Sequence, residues 1–251
     1  MNTKINIMGL EISVIEYEHL KKLLNEYLED DYMNTVFLLS TRMLQQANED
    51  EEYRKMLEEV DLLLPGESTI LTLHHVDLLE MVGMVVDYRS FVQIMEEVHE
   101  QPKTMYLLGR SEEEIAMITS FCKRKFPLLN ILGSTYRDLE ADSDVIINSI
   151  NGEAPDILLS TIDSLKQGKW IVSNRRKLNA KLCISFGDIA DNIINDNKEI
   201  PKLIKQLHMQ FFYKLLMKNK KSSKLFHTRI FRKKLAQYKN KKGDSGNGIK
   251  R

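Results

Sequence analysis

The chain has 251 residues, 43% apolar and 29% charged, a balance that excludes wholesale disorder and a polytopic membrane protein. Two cysteines, Cys122 and Cys183, are too few to frame a secreted disulfide scaffold and suit a reducing compartment. The 36 basic and 36 acidic residues cancel, but residues 201–251 carry a net of +15 and the preceding 200 a net of −15, so an anionic partner is expected for the end of the chain alone.

In chain order, INIMG at 5–9 and EISVI at 11–15 predict a small hairpin. Leu20, Leu23, Leu24 and Leu28 share a helical face, which predicts a helix over 18–28. TVFLLS at 35–40 reads as a buried strand. Met43, Leu44, Ala47, Tyr53, Met56 and Leu57 then form an interrupted apolar stripe, so 41–59 is one helix or two. A strand at 60–64 ends at Pro65-Gly66. The alternation continues with a helix over 91–98, a strand at 104–109 and a helix from the Ser111 cap to Lys125. A strand at 129–133, a helix over 137–150, a strand at 156–160, a helix over 164–178 and a strand at 181–187 complete it. Strands and helices in this order predict an α/β fold, a mostly parallel sheet covered on both faces.

Pro201 opens a different region. Leu203, Ile204, Leu207, Phe211, Leu215 and, further on, Leu225, Phe226 and Ile230 make apolar stripes among clustered Lys and Arg. The expected division is a domain over 1–195, a basic amphipathic helical appendage over 196–240 and a disordered basic tail over 241–251. Lys214, Lys218, Lys221, Arg229, Arg232 and Lys233 are the candidate membrane contacts, because basic residues beside an apolar stripe favour an anionic lipid surface. Nucleic acid is the competing anion; the acidic body and the lack of a recognised binding motif argue against it. No apolar run is long enough to cross a bilayer and no signal peptide is evident, so a peripheral position on the cytoplasmic face of the membrane is expected.

An open parallel sheet binds ligands beyond the C-terminal ends of its strands. The candidates there are Ser40, Thr41, Gly109, Arg110 and Gly133, whose hydroxyls, amides and guanidinium suit an anionic ligand, against turn formation or capping as the plainer role. Lys166 and Gln167 open a helix after a strand and suit phosphate or sugar hydroxyls, and Asp191 suits a hydroxyl or a helix cap. Trp170 reads as an apolar anchor for that helix. His74, His75 and His99 have no ligand spacing, so neither metal nor cofactor is expected. Cys122 and Cys183 read as buried or incidental rather than nucleophilic.

The segment DILLSTIDSLKQGKWIVSNRRKLNAKLCISFGDIADNI resembles the signature of the WecG/TagA/CpsF glycosyltransferases, which runs close to DILLVGLGSPKQEKW, then NAK, a glycine-rich strand end and Phe-Asp. EDEEYRKMLEEVDLLLPGEST is similar to that family's ADLVLPDG segment, TMYLLGRSEEEI to its VFLLGG strand-turn-helix, and QFFYKLL to its EWLYRL. The resemblance implies a Rossmann-like domain that transfers a sugar from a UDP-sugar to a polyprenyl-diphosphate-linked acceptor, inverting the anomeric centre without an essential metal. It implies a role in surface-polysaccharide assembly (capsule or teichoic acid) and a C-terminal appendage that meets the membrane.

The departures fall in the chemistry. The aspartate of LPDG is Gly66 here, with Glu67 one position late; Thr-x-Asn falls on Leu38-Leu39-Ser40, and Gly-x-Asp on Tyr88-Arg89-Ser90. The glutamate of PKQE is Gly168, the Phe-Asp pair is Ala190-Asp191, and the arginine of EWLYRL is Lys214. The resemblance therefore leaves Glu67 as the candidate catalytic base. It also leaves an alternative, a non-catalytic homologue that serves as partner or scaffold for another glycosyltransferase subunit.

Overall fold

A computed structural model describes residues 2–73, 83–98, 103–161 and 165–196. The histidines at 74, 75 and 99 and the whole expected appendage, with Lys214, Lys218, Lys221, Arg229, Arg232 and Lys233, lie outside those residues. The hairpin is β1 (Asn2–Ile7) and β2 (Leu10–Ile15), followed by α1 (Tyr17–Glu29), β3 (Asn34–Leu39), α2 (Thr41–Glu49), α3 (Glu51–Glu58) and β4 (Leu62–Pro65). Then come α4 (Thr69–Leu73), α5 (Tyr88–Val98), β5 (Lys103–Leu108), α6 (Glu112–Lys125), β6 (Leu129–Thr135) and α7 (Ser143–Glu153). The last elements are β7 (Ile157–Ser160), α8 (Leu165–Asn174), β8 (Leu182–Ser185), a 3-10 turn over Gly187–Ile189 and α9 (Ala190–Asp196).

Six strands form one parallel sheet in the order β4-β3-β8-β7-β5-β6, and β1 and β2 pair antiparallel beside it. The fold is therefore α/β with helices on both faces. Because successive strand residues point to opposite faces, Phe37, Leu39, Leu63, Tyr106, Leu108 and Leu158 pack with the hairpin, α2, α3, α7 and α8. Val36, Leu38, Leu62, Leu64, Met105, Leu107 and Leu159 pack with α1, α5, α6 and α9. Burial on both faces is why these strands read as continuous apolar runs.

The N-terminal edge of the sheet is closed by two copies of one device. Asp61 Oδ2 accepts from the Thr35 amide at 2.8 Å and from its hydroxyl at 2.7 Å, while Thr35 Oγ1 accepts from the Asp61 amide at 3.0 Å. Asp156 Oδ2 does the same with Thr104 at 2.7 and 2.8 Å, returned at 2.9 Å. Each clip locks a strand start to a neighbouring loop and leaves the opposite, C-terminal edge to the longer connections.

Several expected boundaries move, each for a local reason. The stripe over 41–59 becomes two helices because the Asp50 carboxylate caps α3, accepting from Glu52 N at 2.9 Å and Tyr53 N at 3.1 Å. The helix expected from 137 starts at Ser143, since Asp138 Oδ1 accepts from the amides of Glu140 and Ala141 and folds 138–141 into a turn. The strand expected to stop at 133 runs to Thr135 across a register shift opposite Met105/Tyr106. The helix expected to reach 178 ends at Asn174, whose side-chain amide donates to Trp170 O and whose carbonyl accepts from Lys177 N. Trp170 anchors α8 as read, buried and donating from Nε1 to Ser143 Oγ at 2.8 Å.

Candidate functional site

After β5 the chain leaves through α6 toward the edge strand β6; after the adjacent β7 it leaves through α8 toward β8, on the other side. Neighbouring strands whose connections depart in opposite directions open a crevice at their C-terminal ends, the place where such sheets bind ligands. Two clusters line this rim.

The first joins β3 and β4. Ser40 caps α2, its hydroxyl accepting from Met43 N at 3.1 Å, and is almost wholly buried. Thr41 donates to the Glu67 carboxylate from its amide at 3.2 Å and from its hydroxyl at 3.1 Å. Ser40, Thr41 and Glu67 thus come together, with Glu67 held by the first residue of α2. Gly66 explains the shifted order of glycine and acid. A Cβ there would lie 2.7 Å from Leu39 O and 2.9 Å from Ile189 Cγ1, so the turn takes no side chain at 66 and the carboxylate enters at 67. The Gly66 amide also donates to Leu39 O at 2.8 Å, and its carbonyl accepts from Tyr88 N at 3.1 Å, fixing the turn from both sides.

The second cluster joins β5, β7 and α9. Glu114, in the first turn of α6, has a side chain only 6% exposed. Its Oε2 accepts from the Arg110 amide at 2.7 Å and from Thr161 Oγ1 at 2.8 Å; its Oε1 accepts from Arg110 Nε at 2.9 Å and Nη2 at 2.5 Å. Arg110 Nη2 reaches on to Asp191 Oδ1 at 2.6 Å. Burial alone would push the Arg110 guanidinium down, but the hydrogen bonds and charges of Glu114 and Asp191 outweigh it and hold the group above its ordinary value. Gly109 belongs here for packing: a Cβ would sit 2.6 Å from Ile115 Cγ1 where α6 crosses it. The two clusters flank the 3-10 turn, entered through Gly187 at φ +50°, that carries Ile189 against Gly66 and leads into α9.

Gly133 is elsewhere. It lies inside β6 rather than after it, and a Cβ there would sit 2.6 Å from the Tyr106 ring, so it makes room for an aromatic side chain. Lys166 and Gln167 fall in the first turn of α8, as expected for residues just past β7. Sequence reasoning missed Glu114 as a site residue. It reads as the third residue of a capping box, and Ser111 does accept from its amide at 3.2 Å; yet its carboxylate serves Arg110 and Thr161 instead. The four-residue spacing from Arg110 was the available signal.

Among the described residues, no three His, Cys, Asp or Glu side chains gather as a metal set. Both cysteines are buried, and burial pushes each thiol up to about 12, so neither is a nucleophile at neutral pH. No helix among the described residues is long and apolar enough to cross a membrane.

A parallel α/β sheet with carboxylates and a paired guanidinium along its C-terminal rim is the frame of a ligand-binding α/β domain. The sequence matches the WecG/TagA/CpsF glycosyl transferase family over residues 5–242, and the chain belongs to that family. It is 17% identical over 241 residues, 95% of this chain and 94% of the relative, to the N-acetylglucosaminyldiphosphoundecaprenol N-acetyl-beta-D-mannosaminyltransferase of Staphylococcus aureus strain MW2. The enzymes of the same name from strains MRSA252 and NCTC 8325 / PS 47 are 17% and 16% identical with the same coverage.

Proposed function

We propose that this chain transfers a sugar from a UDP-sugar to a polyprenyl-diphosphate-linked acceptor, of the N-acetylglucosaminyl-diphosphoundecaprenol class named for its relatives, in assembly of a cell-surface polymer. The observation that carries this is the family match across nearly the whole chain, over a rim that retains a carboxylate, Glu67, beside the 66 position. In this reading an acceptor hydroxyl attacks the anomeric carbon as Glu67 takes its proton. The bond to the donor diphosphate breaks on the opposite face, and UDP departs with the bonding pair. Lys166 and Gln167, at the start of α8, are proposed to meet the donor's phosphate and sugar groups. The alternative of a non-catalytic partner subunit rests on the sequence departures at Leu38, Ser40, Gly66 and Tyr88, and nothing in the fold favours it. The test incubates the full chain with a panel of UDP-sugars and a short-prenyl N-acetylglucosaminyl diphosphate, reading the acceptor's mass. A gain of one sugar with at least one donor is expected, and no gain with any donor by a folded chain would contradict the proposal.

The division into a domain over 1–195, an appendage over 196–240 and a tail over 241–251 is proposed with it, as is a peripheral position on the cytoplasmic membrane face. The support is the net +15 of residues 201–251 and their apolar stripes. Sedimentation with anionic vesicles at about 0.15 M salt, where surface attraction is already screened beyond roughly 8 Å, is the check. The intact chain should pellet and a chain truncated after Lys198 should not; equal binding by both would place attachment elsewhere.

A further inference from the structure

We infer that Arg110 and Glu114 are a positioning pair that aims the Asp191 carboxylate at an uncharged hydrogen-bond donor of the nucleotide sugar, a nucleoside N–H or hydroxyl or a hydroxyl of the transferred sugar. Arg110 is then not a phosphate ligand. This rests on the transferase reading above and deepens it.

Three observations lead there. Among the described residues Arg110 is already bonded to two carboxylates, Glu114 at 2.5 and 2.9 Å and Asp191 at 2.6 Å. One guanidinium and two carboxylates carry a net charge of −1, so a diphosphate brought to Arg110 would face both acids. Finally, the two acids differ in access. Glu114 is 6% exposed and tied by Thr161 and the Arg110 amide, whereas Asp191 is 57% exposed at the start of α9. A buried acid grips the arginine, and the arginine grips an open acid by Oδ1. Among the described residues nothing donates to Asp191 Oδ2, which leaves an oriented acceptor at the rim. Carboxylates accept from hydroxyls and N–H groups and repel phosphates.

The experiment is calorimetric titration of the full chain with uridine, UDP, UDP-N-acetylglucosamine and inorganic pyrophosphate. It compares wild type, Arg110→Gln, Arg110→Lys, Asp191→Asn and the Arg110→Gln/Asp191→Asn double variant. Arg110→Gln and Asp191→Asn should each weaken the same ligands by a similar factor, about 10-fold, the size of one charge-assisted hydrogen bond. The double variant should bind no worse than either single variant, Arg110→Lys should fall between wild type and Arg110→Gln, and pyrophosphate should be indifferent throughout. Weakening already present with uridine places the donor on the nucleoside; weakening confined to UDP-N-acetylglucosamine places it on the sugar. Arg110→Gln strands the buried Glu114 and can lower stability. Asp191→Asn, on an exposed residue, keeps the fold and keeps the inference open to refutation. Loss of pyrophosphate and UDP binding in Arg110→Gln with uridine unchanged, or tighter UDP binding in Asp191→Asn, would overturn the inference and leave the transferase reading intact. A folded wild type that binds none of the uridine ligands would overturn the donor assignment and this inference together.

Discussion

Glu67→Gln should lower the transfer rate by about 100-fold or more while leaving the fold in place, the loss typical when a general base is removed. The substitution keeps a side-chain oxygen to accept from the Thr41 amide and hydroxyl, now at 3.2 and 3.1 Å, so α2 keeps its start and only proton uptake is lost. The discriminating pattern is a large fall in kcat with little change in KM for the donor, because the carboxylate acts on the acceptor hydroxyl in the transition state. Steady-state rates with saturating donor, beside thermal unfolding of both proteins, measure it. Equal rates for Glu67→Gln and wild type would remove Glu67 as the base.

Gly66→Asp, which returns the family's acid to its usual position, should not help. The new Cβ would fall 2.7 Å from the Leu39 carbonyl and 2.9 Å from Ile189, a side chain with no exposed surface. The first neighbour is β3 backbone and cannot swing aside, and the second is packed beneath α9. Overpacking of this kind costs roughly 3 kcal/mol, which in a domain of this size lowers Tm by about 6–12 °C. Thermal unfolding followed by circular dichroism should show that drop, with no rise in transfer rate even when Glu67→Gly is added to complete the family order. A Gly66→Asp protein that melts with the wild type and turns over faster would show that the turn is more plastic than its contacts indicate.

The sheet was legible because its strands are buried on both faces and so appear as short, unbroken apolar runs such as TVFLLS and DILLS. The strand order was not. It depends on which crossover packs where, and the path out to β4, across to β6 and back to β8 leaves no periodic mark. Helix starts failed where one carboxylate competed with the helix for backbone amides, as Asp138 does, and succeeded where the capping residue was the plain signal, as Ser111 is. In the site, Ser40, Thr41, Arg110 and Asp191 were legible as rim residues from their positions after strands. Their partners were not: Arg110 and Asp191 are 81 positions apart, and Thr41 and Glu67 are 26 apart. The end of β6 was not legible at Gly133, because the strand runs two residues past it across a register shift, and the Tyr106 ring on the neighbouring strand is the physical reason for that glycine.

The central claim is that the chain itself carries out a single displacement at this rim, with Glu67 drawing the proton from the acceptor. The anomeric configuration of the product tests that most directly. With an α-linked UDP-sugar and a short-prenyl N-acetylglucosaminyl diphosphate, the one-bond carbon–hydrogen coupling at the new anomeric centre should report a β linkage. An α-linked product, or none from a folded chain supplied with every donor in the panel, would contradict it.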